Sequence, residues 1–241
     1  MQLRTKSFWA VACLLSAIPA FAHDNANGTV AVAARYEFTI SEDDGAPRQS
    51  PNWFVIRNEN RIVTTAPEVG QQEIWNRESS SGAMSLQRVF HKARRVVAYT
   101  PGELSAMGAT VSWESLGSII DPRELHDLER IGEEDSVAGR AVLYRAVIGR
   151  EKVEIAWLEN VRLPARIERW GRNRHSVLRL AAVGAPNQSP WTQLGEETHA
   201  EYQVIDVADF GDMDYDPFVR EVEALDERTG RWSAGGHTHF H

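Results

Sequence analysis

The chain ends Gly235-Gly236-His237-Thr238-His239-Phe240-His241. In an extended segment alternate side chains share a face. His237, His239 and His241 therefore present three imidazoles together, with the terminal carboxylate beside the last. Imidazole suits Cu, Zn or Ni, a short His-rich tract reads as metal binding, and the two glycines loosen the segment. The same composition also describes a chain end that takes up metal only adventitiously. His23 is a further candidate. Freed by cleavage after Ala22, its α-amino group and imidazole would chelate one Cu²⁺ together, although no second histidine is identifiable as its partner.

The acids offer a false lead. Asp212, Asp214 and Asp216, with Glu223 at the twelfth position, imitate a calcium loop. That loop needs glycine at its sixth position, where this chain has Pro217, whose φ is locked near −65°. Asp216 and Pro217 instead predict the cap and first residue of a short helix, with Phe218, Val222 and Leu225 on one face. Asp206, Asp209 and Asp212 then read as a solvated run. Arg88, Lys92, Arg94 and Arg95 form the densest basic cluster and read as solvent-facing side chains of alternating strands.

Catalytic signatures are missing. The sequence has no G-x-S-x-G elbow, H-E-x-x-H pair, Walker loop or dinucleotide fingerprint. His91, His126, His175 and His199 are isolated. The only cysteine, Cys13, falls in the leader described below, so the mature chain has no thiol nucleophile or disulfide. The expectation is a protein that is not an enzyme and needs no cofactor. A hydrolase with an unrecognised site is the remaining alternative.

The first residues explain where such a protein works. Arg4 and Lys6 precede an apolar run from Phe8 to Ile18, and Ala20-Phe21-Ala22 follows. This is the pattern of a secretory signal peptide over 1–22, too short to span a bilayer. Ala10 stands where a lipoprotein signal usually has Leu, Val or Ile, so Cys13 is not read as a lipidation site. Formal net charge is −8, two units more negative once Arg4 and Lys6 leave with the leader. An acidic chain is soluble and ill suited to nucleic acid. The reading is an exported, periplasmic monomer with at most peripheral membrane contact.

Between leader and tail the chain reads as short strands. Val30–Ile40 alternates through Tyr36, Phe38 and Ile40. Trp53–Ile56 and Arg61–Thr65 flank a polar tetrad that predicts a hairpin. Gln72–Trp75, Met84–Phe90 and Arg95–Tyr99 continue the pattern, and Pro101–Met107 reads as a helical turn. Asp121-Pro122 opens a predicted helix with Leu125, Leu128 and Ile131 at helical spacing, ending near Arg130 before Gly132. Ala141–Ile148, Lys152–Leu158, Leu163–Trp170, Ser176–Val183 and Glu201–Val207 are further strands. Pro164 suits an edge or the first residue of a strand.

Val137-Ala138-Gly139-Arg140, the strand Glu154-Ile155-Ala156-Trp157-Leu158-Glu159 and the strand Leu163-Pro164-Ala165-Arg166-Ile167-Glu168 resemble the lipoprotein-carrier (LolA/RseB-like) superfamily. The resemblance implies a mainly β fold with short helices: a curved antiparallel sheet forming an incomplete β-barrel with a helical plug, here spanning 23–229, with 230–241 as a His-rich tail. It also implies a non-catalytic carrier whose concave face holds a lipid, an acylated or other apolar ligand, or a periplasmic protein. Trp53, Phe54, Trp75, Phe90, Trp113, Trp157 and Trp170 are the apolar material for such a cavity, or else ordinary core. A periplasmic metal-delivery protein using the histidine tail is the alternative reading.

Overall fold

The computed structural model describes residues 30–42, 45–188 and 199–229. Thirteen strands form one curved, unclosed sheet. They are β1 (Val32–Glu42), β2 (Arg48–Gln49), β3 (Trp53–Arg57), β4 (Arg61–Ala66), β5 (Gln71–Arg77), β6 (Met84–Phe90), β7 (Arg95–Tyr99), β8 (Glu129–Ser136), β9 (Gly139–Ile148), β10 (Glu151–Leu158), β11 (Leu163–Trp170), β12 (Arg174–Gly184) and β13 (Gln203–Asp206). The spatial order is β13-β7-β6-β5-β4-β3-β1-β12-β11-β10-β9-β8, with β2 beside β1. All pairings are antiparallel except β13 with β7. Short turns favour this meander. The long first strand joins two hairpin series, pairing β3 on one side and β12 on the other.

Three helices, α1 (Pro101–Ala106), α2 (Trp113–Ser118) and α3 (Pro217–Thr229), lie among 3₁₀ turns at Pro122–Asp127 and Val207–Asp212. Capping chemistry starts each helix. Thr100 and Glu103 form a capping box on α1, and Ser112 and Ser115 do the same on α2. Asp216 Oδ1 accepts from Phe218 N at 2.8 Å, and Pro217 opens α3 as its type predicts.

The inner face of the sheet divides into two regions. Over β4–β7 and β13, Ile62, Trp75, Leu86, Val97, Tyr99 and Ile205 are buried beneath Leu104, Trp113, Phe210, Val219 and Val222 of the helices and turns. Over β9–β12 and β1, a second cluster holds Phe38, Ile155, Trp157, Ile167 and Leu178, with Ile119 and Leu125 against it. On the opposite face Ala33, Ile56, Val63, Ile74, Val89 and Val96 form a third buried cluster, with Tyr202 packed on it.

Arg57 joins the two inner regions. Its guanidinium donates to Gly117 O at 2.5 Å, Val161 O at 2.7 Å and Val30 O at 2.9 Å. It thereby ties β3 to α2, the β10–β11 turn and the lead into β1. Burial, with Arg162 nearby, pushes its pKa down to about 10, against the opposing influence of Tyr36. Tyr36 is buried, and its hydroxyl donates to Pro164 O at 2.9 Å.

Four sequence expectations are corrected. The helix expected from Asp121 to Arg130 is a 3₁₀ turn that stops at Asp127, and Glu129–Ser136 is edge strand β8. Leu125 and Leu128 satisfy the three-residue period of a 3₁₀ turn as well as a helix. Gly132 lies at a bulge in β8 with φ 156° rather than ending a helix. Pro164 sits in an interior strand. The β11–β12 ladder begins only at Arg166, and the β10–β11 register shifts at Ala156/Trp157, so no ladder donor is lost there. Helix α2 carried no recognised sequence signal. Finally, the basic cluster is not uniformly solvated. Arg88 is 2 % exposed and its Nη1 donates to both oxygens of Asp226 at 2.7 and 2.8 Å. Arg95 donates to Asp216 at 2.6 Å.

A titratable contact pins the return of the chain to β7. His91 Nδ1 lies 3.2 Å from the Tyr202 hydroxyl, and Arg94 stacks over the Tyr202 ring at 5.1 Å. Burial, then the neighbouring His199, pushes the His91 pKa below its ordinary value. Unfolded His91 therefore binds its proton at higher pH than folded His91. This contribution is complete above the unfolded value, about 6.5, and is lost as pH falls through the folded value. The melting temperature should drop between pH 7.5 and 5, and less so in His91→Gln. An equal drop in both proteins would refute the assignment.

Candidate functional site

Strand register builds the β9–β12 and β1 part of the inner face row by row. Tyr144, Ile155, Ile167, Leu178 and Phe38 are successive cross-strand partners over β9, β10, β11, β12 and β1. Side chains directly opposite one another share a face, so this is a continuous apolar row. Two residues further towards the hairpin tips runs a second row of Ala146, Val153, Arg169, Ser176 and Ile40. Tyr144, Ala146 and Ile40 are half-buried, and Ile148 at the rim is 43 % exposed. The non-strand hydrophobics packed here come from Ile119, Ile120, Leu125 and Leu128, with Val161 and Ala138 of the turns.

The other face of the same strands is ionic. Arg145 meets Glu154 at 2.9 Å, Lys152 meets Glu154 at 3.0 Å, and Arg166 meets Glu134 at 2.9 Å. Arg166 also pairs with Glu168, which His175 contacts at 2.7 Å. Apolar residues alternate with these charges along each strand, as period-two geometry requires. One face is therefore solvated, and the other is apolar and buried except at Tyr144, Ala146 and Ile40, which are half-open.

The structure does not gather the seven aromatics into one lining. Trp75, Trp113 and Trp157 are 2–4 % exposed and belong to the packed interior. Phe90 packs edge-on against Phe218 at 5.1 Å. Trp53 lies 5.7 Å from Tyr36 and packs against the second cluster. Phe54 alternates with the inward Val55. Trp170 alternates with Arg169 and stacks on His175 at 5.4 Å beneath Lys152, on the ionic face. The side chains that remain half-open, Ile40, Tyr144 and Ala146, were not among the expected cavity residues, although Ile40 belongs to the alternation read in the first strand. Their signal is the alternation of β1 and β9, readable only once the strands have a partner order. His23, His237, His239 and His241 lie outside the described residues. Among the described residues no three His, Cys, Asp or Glu side chains cluster as metal ligands, and no helix is long and apolar enough to cross a membrane.

Fold and site define an open curved sheet whose inner face is buried under short helices and turns, with a half-open apolar edge at Ile40, Tyr144 and Ala146. Solved structures similar to the chain include LolA superfamily proteins, the group that residues 137–183 resemble. One LolA superfamily protein, from Nitrosomonas europaea, aligns at 9 % identity and TM-score 0.34, over 70 % of this chain and 91 % of that one. A chain of the Pseudomonas aeruginosa MucA/MucB complex aligns at 15 % identity and TM-score 0.37, over 74 % and 59 %. PNGF-II aligns at 9 % identity and TM-score 0.42, over 76 % of this chain; the chain thus spans only 33 % of that protein. The sequence matches no protein-family model and no curated protein.

Proposed function

We propose that the chain is a non-catalytic binding or carrier protein that shelters the apolar part of an amphiphile on the β8–β12 half of its inner face. One observation carries this reading. The row from Tyr144 to Phe38, buried everywhere but at Tyr144, is continued at its edge by the half-open Ile40 and Ala146 and the exposed Ile148, while the ion ladder occupies the reverse side. Burial of that surface by a guest is worth about 25 cal/mol per Å² before association costs. The leader-like sequence of residues 1–22 supports a place of work outside the cytoplasm.

Two measurements test the reading. Native mass spectrometry of gently purified protein should show a retained amphiphile. Ala146→Trp fills the groove from a half-buried position. It should weaken dodecyl maltoside binding about tenfold, the loss expected from about 50 Å² of apolar contact, with little change in melting temperature. Undiminished binding in Ala146→Trp would remove the groove from consideration.

A further inference from the structure

Two arginines interrupt this apolar face. Arg169 lies in the second row, opposite Val153 on β10 and Ser176 on β12. Arg174 stands two residues beyond Ser176 on the same strand, so both arginines and the serine project to the same side. Arg169 Nε, Arg174 Nε and Arg174 Nη2 are buried with no hydrogen-bond partner among the described residues. Buried guanidinium nitrogens are ordinarily satisfied, as four other arginines of this sheet show. Arg57 meets four carbonyls, while Arg88, Arg145 and Arg166 meet carboxylates.

The surrounding acids do not complete the site. Glu42, opposite Arg174 in the β1–β12 ladder, is bonded to Arg48 at 2.9 Å. Glu151 attracts Arg169 from the start of β10 without forming a hydrogen bond to it, while burial and Arg174 disfavour its charge. Two like charges thus converge at the hairpin end of the apolar face, with three guanidinium nitrogens lacking a partner among the described residues. Such an arrangement costs stability in the empty protein, a common signature of a site kept for a ligand.

We infer that Arg169 and Arg174, with Ser176, form a subsite for the anionic headgroup of an amphiphile whose acyl chain lies on the half-open apolar edge of Ile40, Tyr144 and Ala146. The headgroup is a phosphate or carboxylate, which guanidinium groups grip through paired, charge-assisted hydrogen bonds. This rests on the groove proposed above and specifies the class of its occupant.

The experiment compares dodecyl phosphate, dodecyl maltoside and inorganic phosphate by calorimetry, below micelle-forming concentrations, on the full chain and on R169Q/R174Q. Dodecyl phosphate should bind the unaltered chain at least about tenfold tighter than dodecyl maltoside, as charge-assisted hydrogen bonds warrant. R169Q/R174Q should abolish that preference while keeping maltoside affinity. The double variant should melt at the same temperature or higher, since it removes unpaired buried charge, and R169K/R174K should keep part of the preference. Equal affinity for the two detergents in the unaltered chain overturns the subsite. So does a preference that survives R169Q/R174Q, or inorganic phosphate binding as tightly as dodecyl phosphate. Failure of dodecyl maltoside to bind at all counts against the groove itself, so the two readings fail separately.

Discussion

Arg57→Met should cost about 3–5 kcal/mol of folding free energy, the range for breaking a buried charged network. The side chain is 1 % exposed and holds Gly117 O, Val161 O and Val30 O through three nitrogens. Methionine fills much of the volume and removes the donor from four carbonyls, those of Gly117, Val161 and Val30 and, at 3.4 Å, Arg162. Those carbonyls belong to α2, the β10–β11 turn and the lead into β1, so their loss loosens the junction between the two buried clusters of the inner face. Arg57→Lys should recover little, because a single ammonium cannot reach three acceptors arranged for a planar fork. Gly117 shows how tightly the site closes: a Cβ there would lie 2.8 Å from Arg57 Cδ. With ordinary domain stabilities of about 5–15 kcal/mol, the methionine variant should show a sharply lowered urea midpoint. A midpoint within experimental error of the unaltered protein would refute the role.

Asp226→Ala should be nearly as damaging and more local. Arg88 lies beneath α3, bonded to both carboxylate oxygens of Asp226 and, at 3.0 Å, to the Tyr99 hydroxyl. Burial works to strip its charge, but Tyr99, Asp226 and Glu73 outweigh that and hold its pKa above the ordinary value. Removing the carboxylate leaves a charged guanidinium in the interior, at a cost of about 3–5 kcal/mol. Helix α3 should lose hydrogen-exchange protection first, exposing Val219 and Val222. Arg88→Met/Asp226→Leu should recover most of the loss, because replacing both members of a buried pair with apolar residues of similar size is often close to neutral. If α3 keeps its protection in Asp226→Ala, the clamp is not what holds it.

Local chemistry made much of this molecule legible. Alternation marked most of the long strands. The turn residues between Arg57 and Arg61 set a hairpin, and β6 and β7 run from Met84 to Phe90 and from Arg95 to Tyr99 as their sequences predict. Asp216 and Pro217 announced α3 through a cap and a locked φ. These features depend on residues near in sequence, so a single chain carries them.

The tertiary structure decided the rest, because it depends on which strands meet. Period-two alternation says that Ile167 and Arg169 share a side, but only the ladders with β10 and β12 join that side to the cluster on which Ile119 and Leu125 pack. Trp170 is as apolar as Trp157, yet one-residue alternation puts it among Lys152, His175 and Glu168 instead of the interior. Arg88 and Asp226 are 138 residues apart, a distance at which no local pattern records an ion pair. β8 formed because an edge of β9 was free to take it, against a leucine spacing that suits a helix. Sequence determined the strands, the caps and the acidic surface through short-range backbone preferences. Partner order determined the groove, its arginines and the buried clamps, since those exist only where distant strands are brought into register.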